Sequence, residues 1–90
     1  MKFKSKPVEI EAWREGCGEE MPIKLKHAVI DGRLVLPTEG EIGSLFFTPT
    51  NKWIPFEFND WIIYGGGGYS VYNMVAVNDD EMRDGYEVME

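Results

Sequence analysis

Ninety residues, 43% apolar and 13% aromatic, suffice for one modest core and exclude a second domain, so residues 1–90 read as a single unit. Sixteen acids against nine bases give a formal charge of −7. The excess is lopsided: residues 1–52 balance eight acids with eight bases, while residues 53–90 set eight acids against Arg83 alone.

That field repels a phosphate backbone, which argues against direct nucleic-acid backbone binding, and it attracts a basic partner surface. Acidic surfaces also simply keep small proteins dissolved. Met1 to Pro7 is basic but runs at once into Glu9 and Glu11, without the apolar stretch of a secretion signal. Nothing approaches the ~20 apolar residues of a membrane span. Cys17, between two glycines, can make neither an intrachain disulfide nor a thiolate cluster. Secreted domains of this size usually carry several bridges. The expected location is a reducing cytoplasm.

In chain order, Lys2 to Trp13 alternates as a half-buried strand, with Val8, Ile10 and Ala12 on one face and Lys4, Lys6, Glu9 and Glu11 on the other. Pro7 suits an edge. Glu15 to Glu19 is a loop. Glu19 to Ile30 predicts the one substantial helix, with Pro22 in its first turn, two glutamates at the positive end of the dipole, and Asp31-Gly32 as its stop. Strands follow at Arg33–Leu36, Leu45–Thr48, Trp53–Phe58 and Trp61–Tyr64, with turns at Pro49–Lys52 and Asn59-Asp60. Gly65-Gly66-Gly67-Gly68 reads as a hairpin turn into a strand over Tyr69–Tyr72. Asn78 or Asp79 caps a short helical turn, and Tyr86-Glu87-Val88 reads as a last strand.

The order of motifs resembles a family of small proteins encoded by tailed phages and prophages. The opening Lys2-Phe3-Lys4-Ser5-Lys6-Pro7-Val8-Glu9-Ile10-Glu11-Ala12 is similar to that family's basic Lys-Pro-Val and Ile/Val-Glu-Ala strand. Asn59-Asp60-Trp61-Ile62-Ile63-Tyr64 looks like its central Gly-Asp-Tyr/Trp-Ile-Ile, and Asp80 to Glu87 like its terminal Asp-x-Phe-x-x-x-Tyr-Glu. Asn59 stands where the family has a turn glycine, a swap that Asn's tolerance of positive φ permits. Tyr69 replaces a Glu, and no Pro-Cys follows Tyr72. The resemblance implies a phage or prophage gene and a small α+β fold. It carries no catalytic residue.

Catalytic chemistry finds little support. Cys17 lies several residues before the helix and His27 in its middle, so neither marks a nucleophile–base pair. Asn78-Asp79-Asp80-Glu81 lacks the spaced pattern and glycine of a calcium loop. The glycines Gly65, Gly66, Gly67 and Gly68 permit close approach of a ligand or partner backbone, but no helix and Lys follow as in a phosphate loop. Read plainly, they are a turn. Aromatic side chains concentrate at Trp53, Trp61, Tyr64, Tyr69 and Tyr72, and a small sheet with one helix buries only one face. Some of Trp53, Tyr64 and Tyr72 should then lie exposed, where such residues form binding hot spots.

The sequence therefore predicts an α+β fold: a small curled antiparallel sheet or partial barrel of five to seven short strands with one packed helix. The expected function is non-enzymatic and stoichiometric. Its leading form is a phage accessory protein that inhibits a bacterial host protein, in counter-defence or host takeover. The expected contact residues are Trp53, Tyr64, Gly65 to Gly68, Tyr69, Tyr72, Asp79 and Asp80. Two alternatives stay open: sequestration of a nucleotide-type immune signal, and a minor structural role in the virion. A homodimer is a further option. No metal or cofactor is implied.

Overall fold

The computed structural model describes residues 2–5, 8–85 and 87–88, with side chains from Glu9 to Gly85. The elements in order are β1 (Lys2–Ser5), β2 (Val8–Trp13), α1 (Ile23–Ile30), β3 (Leu34–Val35), β4 (Ile42–Phe47), a 3-10 turn (Thr48–Thr50), β5 (Lys52–Glu57), β6 (Trp61–Gly66), β7 (Val75–Val77), α2 (Asp79–Gly85) and β8 (Glu87–Val88). The α+β class and antiparallel pairing stand. Among the described residues the strands number eight. They divide between a five-stranded sheet, ordered β7-β6-β2-β1-β8, and a three-stranded sheet, β3-β4-β5, neither closed into a barrel.

The expected single strand over Lys2–Trp13 is two. Its register sets Phe3 opposite Ile10 and Ser5 opposite Val8, so the chain doubles back between β1 and β2. The apolar positions change from odd at Phe3 to even at Val8, Ile10 and Ala12, and that break in the period of two marks the reversal in the sequence.

Helix α1 begins at Ile23 and not at Glu19. Pro22 caps it with an extended ψ of 147°, and the Glu19 carbonyl accepts a hydrogen bond from Trp13 Nε1 at 3.1 Å, which ties that residue to the preceding strand. Both glutamates thus fall outside the first turn. The stop is as expected: Gly32, at φ +77°, donates to the Val29 carbonyl while Arg33 donates to that of Ala28. That pairing satisfies the last carbonyls and turns the chain straight into β3.

Strand β6 is the centre of the molecule, with Trp61 through Gly65 buried in succession. Ile62 and Tyr64 join Trp13, Leu25, Ala28, Leu34, Leu45, Phe56 and Met74 in the larger core. Trp61 and Ile63 join Ile10, Ala12 and Met82 on the opposite face. The expectation of one fully buried face is corrected here, because a second helix covers the other. Asn78 caps α2 by accepting from the Glu81 N–H at 2.8 Å, and Met82, 1% exposed, is its anchor in the core.

No strand forms over Tyr69–Tyr72. Gly67 and Gly68, both at positive φ, close a tight turn in which the Tyr69 N–H donates to the Gly66 carbonyl at 2.8 Å. Beyond it, Ser70 Oγ donates to Asn73 Oδ1 and accepts from the Tyr72 N–H, while Asn73 Nδ2 donates to the Gly68 carbonyl. These side chains compete with the ladder and bend the chain away. Strand β7 takes the vacated place beside β6.

Candidate binding surface

The three-stranded sheet has an inner and an outer face, and its register assigns every residue. Leu34, Leu45 and Ile54 lie opposite one another, and Gly43 opposite Phe56; these face the larger core. The outer rows are Phe46 with Trp53, then Val35 with Ser44 and Pro55, then Ile42 with Glu57. Ile42 is 70% exposed, Val35 54% and Trp53 51%. Phe46 and Trp53 meet edge to face with centroids 5.2 Å apart, a favoured arrangement that stiffens both rings. Among the described residues no element covers this face.

The first row continues beyond the strands. Phe46 N–H donates to the Arg33 carbonyl at 2.8 Å. The Arg33 guanidinium lies 4.4 Å from the centre of the Tyr72 ring, donates to the Val71 carbonyl at 2.7 Å and pairs with Asp31 at 2.9 Å. Tyr72 is 57% exposed, and its carbonyl accepts from the Thr48 N–H, which fastens it to this end of the sheet. Trp, Tyr and Arg, held rigid, are the residue types that dominate binding energy at interfaces.

The free edge of this sheet, along β5, is blunted. Pro55 has no N–H, so its pair with Ser44 is the non-bonded kind, and the bonded pairs are the flanking Leu45–Ile54 and Gly43–Phe56. The outward positions are then Trp53, Pro55 and Glu57. Pro55 offers no donor, and the Glu57 N–H is taken by Asp60 Oδ2 at 2.9 Å. A foreign strand finds one donor of three, at the far end.

Two clefts meet where the outer face ends, sharing Ile42 and Glu57. One, of about 420 Å³, runs between β5 and β7 and is lined also by Pro55, Asp60, Ala76 and Glu81. The other, of about 380 Å³, adds Glu39 and Glu41. Among the described residues no Lys or Arg lines either.

The residues expected to form one contact site fall in three places. Trp53 and Tyr72 are exposed on the three-stranded sheet and its flank, as expected. Tyr64 is 6% exposed and belongs to the core, a correction that follows from the second sheet packing over it. Burial raises its hydroxyl pKa to about 12, helped by the charges of Glu11, Glu19 and Cys17.

Gly65 and Gly66 are strand residues packed against β2. A Cβ on Gly66 would sit 2.3 Å from the Glu9 carbonyl oxygen, so close strand approach is what this glycine permits. Gly67 and Gly68 turn the chain, and Tyr69 packs half-buried against the smaller core. Asp79 and Asp80 lie on α2, over the other face of the five-stranded sheet. Asp79 accepts from Trp61 Nε1 at 3.0 Å and pairs with Arg83. Its carboxyl is held below the usual range by the Trp61 hydrogen bond first, and by the Arg83 and Arg14 charges. Asp79 therefore has a structural task, and Asp80 alone of the two is exposed.

Val35, Ile42, Phe46 and Pro55 did not stand out in the sequence. The signal was Ile42 and Phe46 at even spacing across Gly43-Ser44, which reads as loop. Among the described residues no three His, Cys, Asp or Glu side chains are grouped to hold a metal ion, and no helix is long and apolar enough to cross a membrane. Comparison of the chain with protein-family models, with curated proteins and with solved structures found no match.

Proposed function

We propose that the protein acts by stoichiometric binding of another protein, through the outer face of the three-stranded sheet. The observation that carries this reading is the row Trp53, Phe46 and Arg33, with Tyr72 stacked on the guanidinium, lying beside Val35 and Ile42 with no covering element among the described residues. A face of this kind gains most from a partner, because its apolar area is still in water at ~25 cal/mol per Å², and its anchors are already immobilised.

The sequence resemblance supports a phage or prophage origin, and with it an inhibitor of a bacterial protein in the host cytoplasm. That last step is analogy of class rather than chemistry of the site. Asp79 and Asp80 drop out of the contact set, and the aromatic row replaces them.

The test is paired affinity capture from host lysate with the wild-type chain and with a Val35→Ser, Trp53→Ser variant. A host protein retained near one-to-one by the wild type, and lost by a variant that melts normally, supports the reading. Equal capture by both, or capture by neither, removes it.

A further inference from the structure

We propose that the partner presents a basic segment, Arg or Lys beside apolar side chains, which seats in the cleft between β5 and β7. This rests on the outer face being the docking surface and names what meets its acidic end.

The two ends of that face differ in charge. At the Arg33 end a guanidinium is neutralised by Asp31. At the Ile42 end Glu57, Asp60 and Glu81 line one cleft, and Glu39, Glu41 and Glu57 the other. The ion pairs Glu11–Lys24, Asp31–Arg33 and Asp79–Arg83 involve none of these five acids. Two of the five already accept hydrogen bonds: Asp60 from the Glu57 N–H and Glu81 from Asn78 Nδ2. Both are neutral donors, so the charges are fixed in place without being cancelled. Carboxylates that line one cleft with no cation beside them raise its negative potential, and an Arg or Lys brought among them gains an attraction that added salt weakens.

The walls make the cleft more than an acidic cluster. Ile42, Pro55, Phe56, Ala76 and Val77 supply apolar surface continuous with the outer face, and about 420 Å³ is within the ~300–1,000 Å³ range of ligand-sized clefts. The blunted β5 edge excludes strand addition on that wall, so recognition there is by side chains. An Arg or Lys with its apolar stem along Ile42 and Pro55 and its charge among Glu57, Asp60 and Glu81 fits both features. A second copy of this acidic chain would bring like charge to the same end, and that disfavours it as occupant.

The probe is an amidated Arg-Val-Arg-Val-Arg-Val peptide titrated into isotopically labelled protein, with a Glu-Val-Glu-Val-Glu-Val peptide as control. The expected result is amide shift changes confined to Ile42, Glu57, Ala76, Val77 and their neighbours. Binding should weaken about tenfold in a Glu57→Gln, Glu81→Gln variant, persist in Trp53→Ser, and fall with added salt. Shifts spread over Glu15–Glu20, Asp80 and Asp84 as well would mean attraction to net charge only, and would overturn the inference. So would no binding, or equal binding by the control. Either failure leaves the aromatic face as docking surface untouched, because that is decided by the capture comparison.

Discussion

In the five-stranded sheet, Trp61 to Gly65 of β6 are closed to water on both sides: α2 lies over one face, α1 and the second sheet over the other. The three-stranded sheet is built from similar residues, yet one face packs inward and the other carries Ile42, Val35 and Trp53 in the open, with Phe46 half-buried among them. Whether an apolar strand face is core or surface is thus decided by what the chain places over it later. Met82 closes one face at 1% exposure; nothing among the described residues does so for the other. Apolar area that the fold leaves uncovered is available to association.

The sharpest way to break this contrast is to mutate the covered face. Trp61→Ala removes a ring only 6% exposed, its bond to Asp79 and its stack with Arg14. It should cost about 4 kcal/mol in urea denaturation; a loss under about 1 kcal/mol would mean that α2 does not seal that side. Next come the glycines of the same strand. Gly66→Ala, at φ +71° with backbone in the way, should cost about 3 kcal/mol, against about 1 kcal/mol for Gly68→Ala at φ +87° in open space. Thermal melts of the pair would show the difference.

On the bare face the expectation inverts. Trp53→Ser should change stability by no more than about 1 kcal/mol while abolishing partner capture. A large drop in melting temperature would make Trp53 a packing residue.

Titration sharpens the comparison further. Tyr64 ionises at about 12 in the folded chain against an ordinary 10.0. The stability that it contributes is whole below pH 10 and is lost as pH rises towards 12. Ultraviolet titration should show a phenol ionising near 12 that is lost in Tyr64→Phe. The smallest effect is at Asp79. Its folded-state pKa lies below the ordinary 3.8, so its contribution is present above that value and is lost as pH falls through the folded one. Asp79→Asn should flatten the acid limb of a stability-against-pH curve, and an unchanged limb would remove the Trp61 bond from the account.

Much of the fold was legible because local chemistry decided it. Asp31-Gly32 ended the helix, Asn51 took a left-handed turn, Asn78 capped α2, and Trp61–Tyr64 was the strongest strand. What misled was strand pairing and the side-chain bonds that compete with it, neither of which the period within one strand encodes. The hairpin between β1 and β2 was written in the change of parity from Phe3 to Val8, which an assumed single strand passes over. Tyr69–Tyr72 looked like a strand, but Ser70 and Asn73 draw the backbone into side-chain bonds instead. Trp53 and Tyr72 were identifiable as exposed aromatics, whereas Phe46 became visible only once register set it beside Trp53. The two acidic clefts gather Glu39, Glu41, Glu57, Asp60 and Glu81 from three stretches of sequence. Charge counting placed Glu57, Asp60 and Glu81 in the acidic half of the chain, but Glu39 and Glu41 lie in the half that it found balanced.

Pro55 has one more consequence. A chain with an uncovered greasy flank invites runaway stacking, each molecule lengthening the next one's ladder into a fibre. Here the outermost rung is unavailable at its midpoint, and Asp60 occupies the one beside it. Growth along that border is blocked at the first added strand, which would let such a molecule hold its target by side chains and still remain dispersed at high concentration.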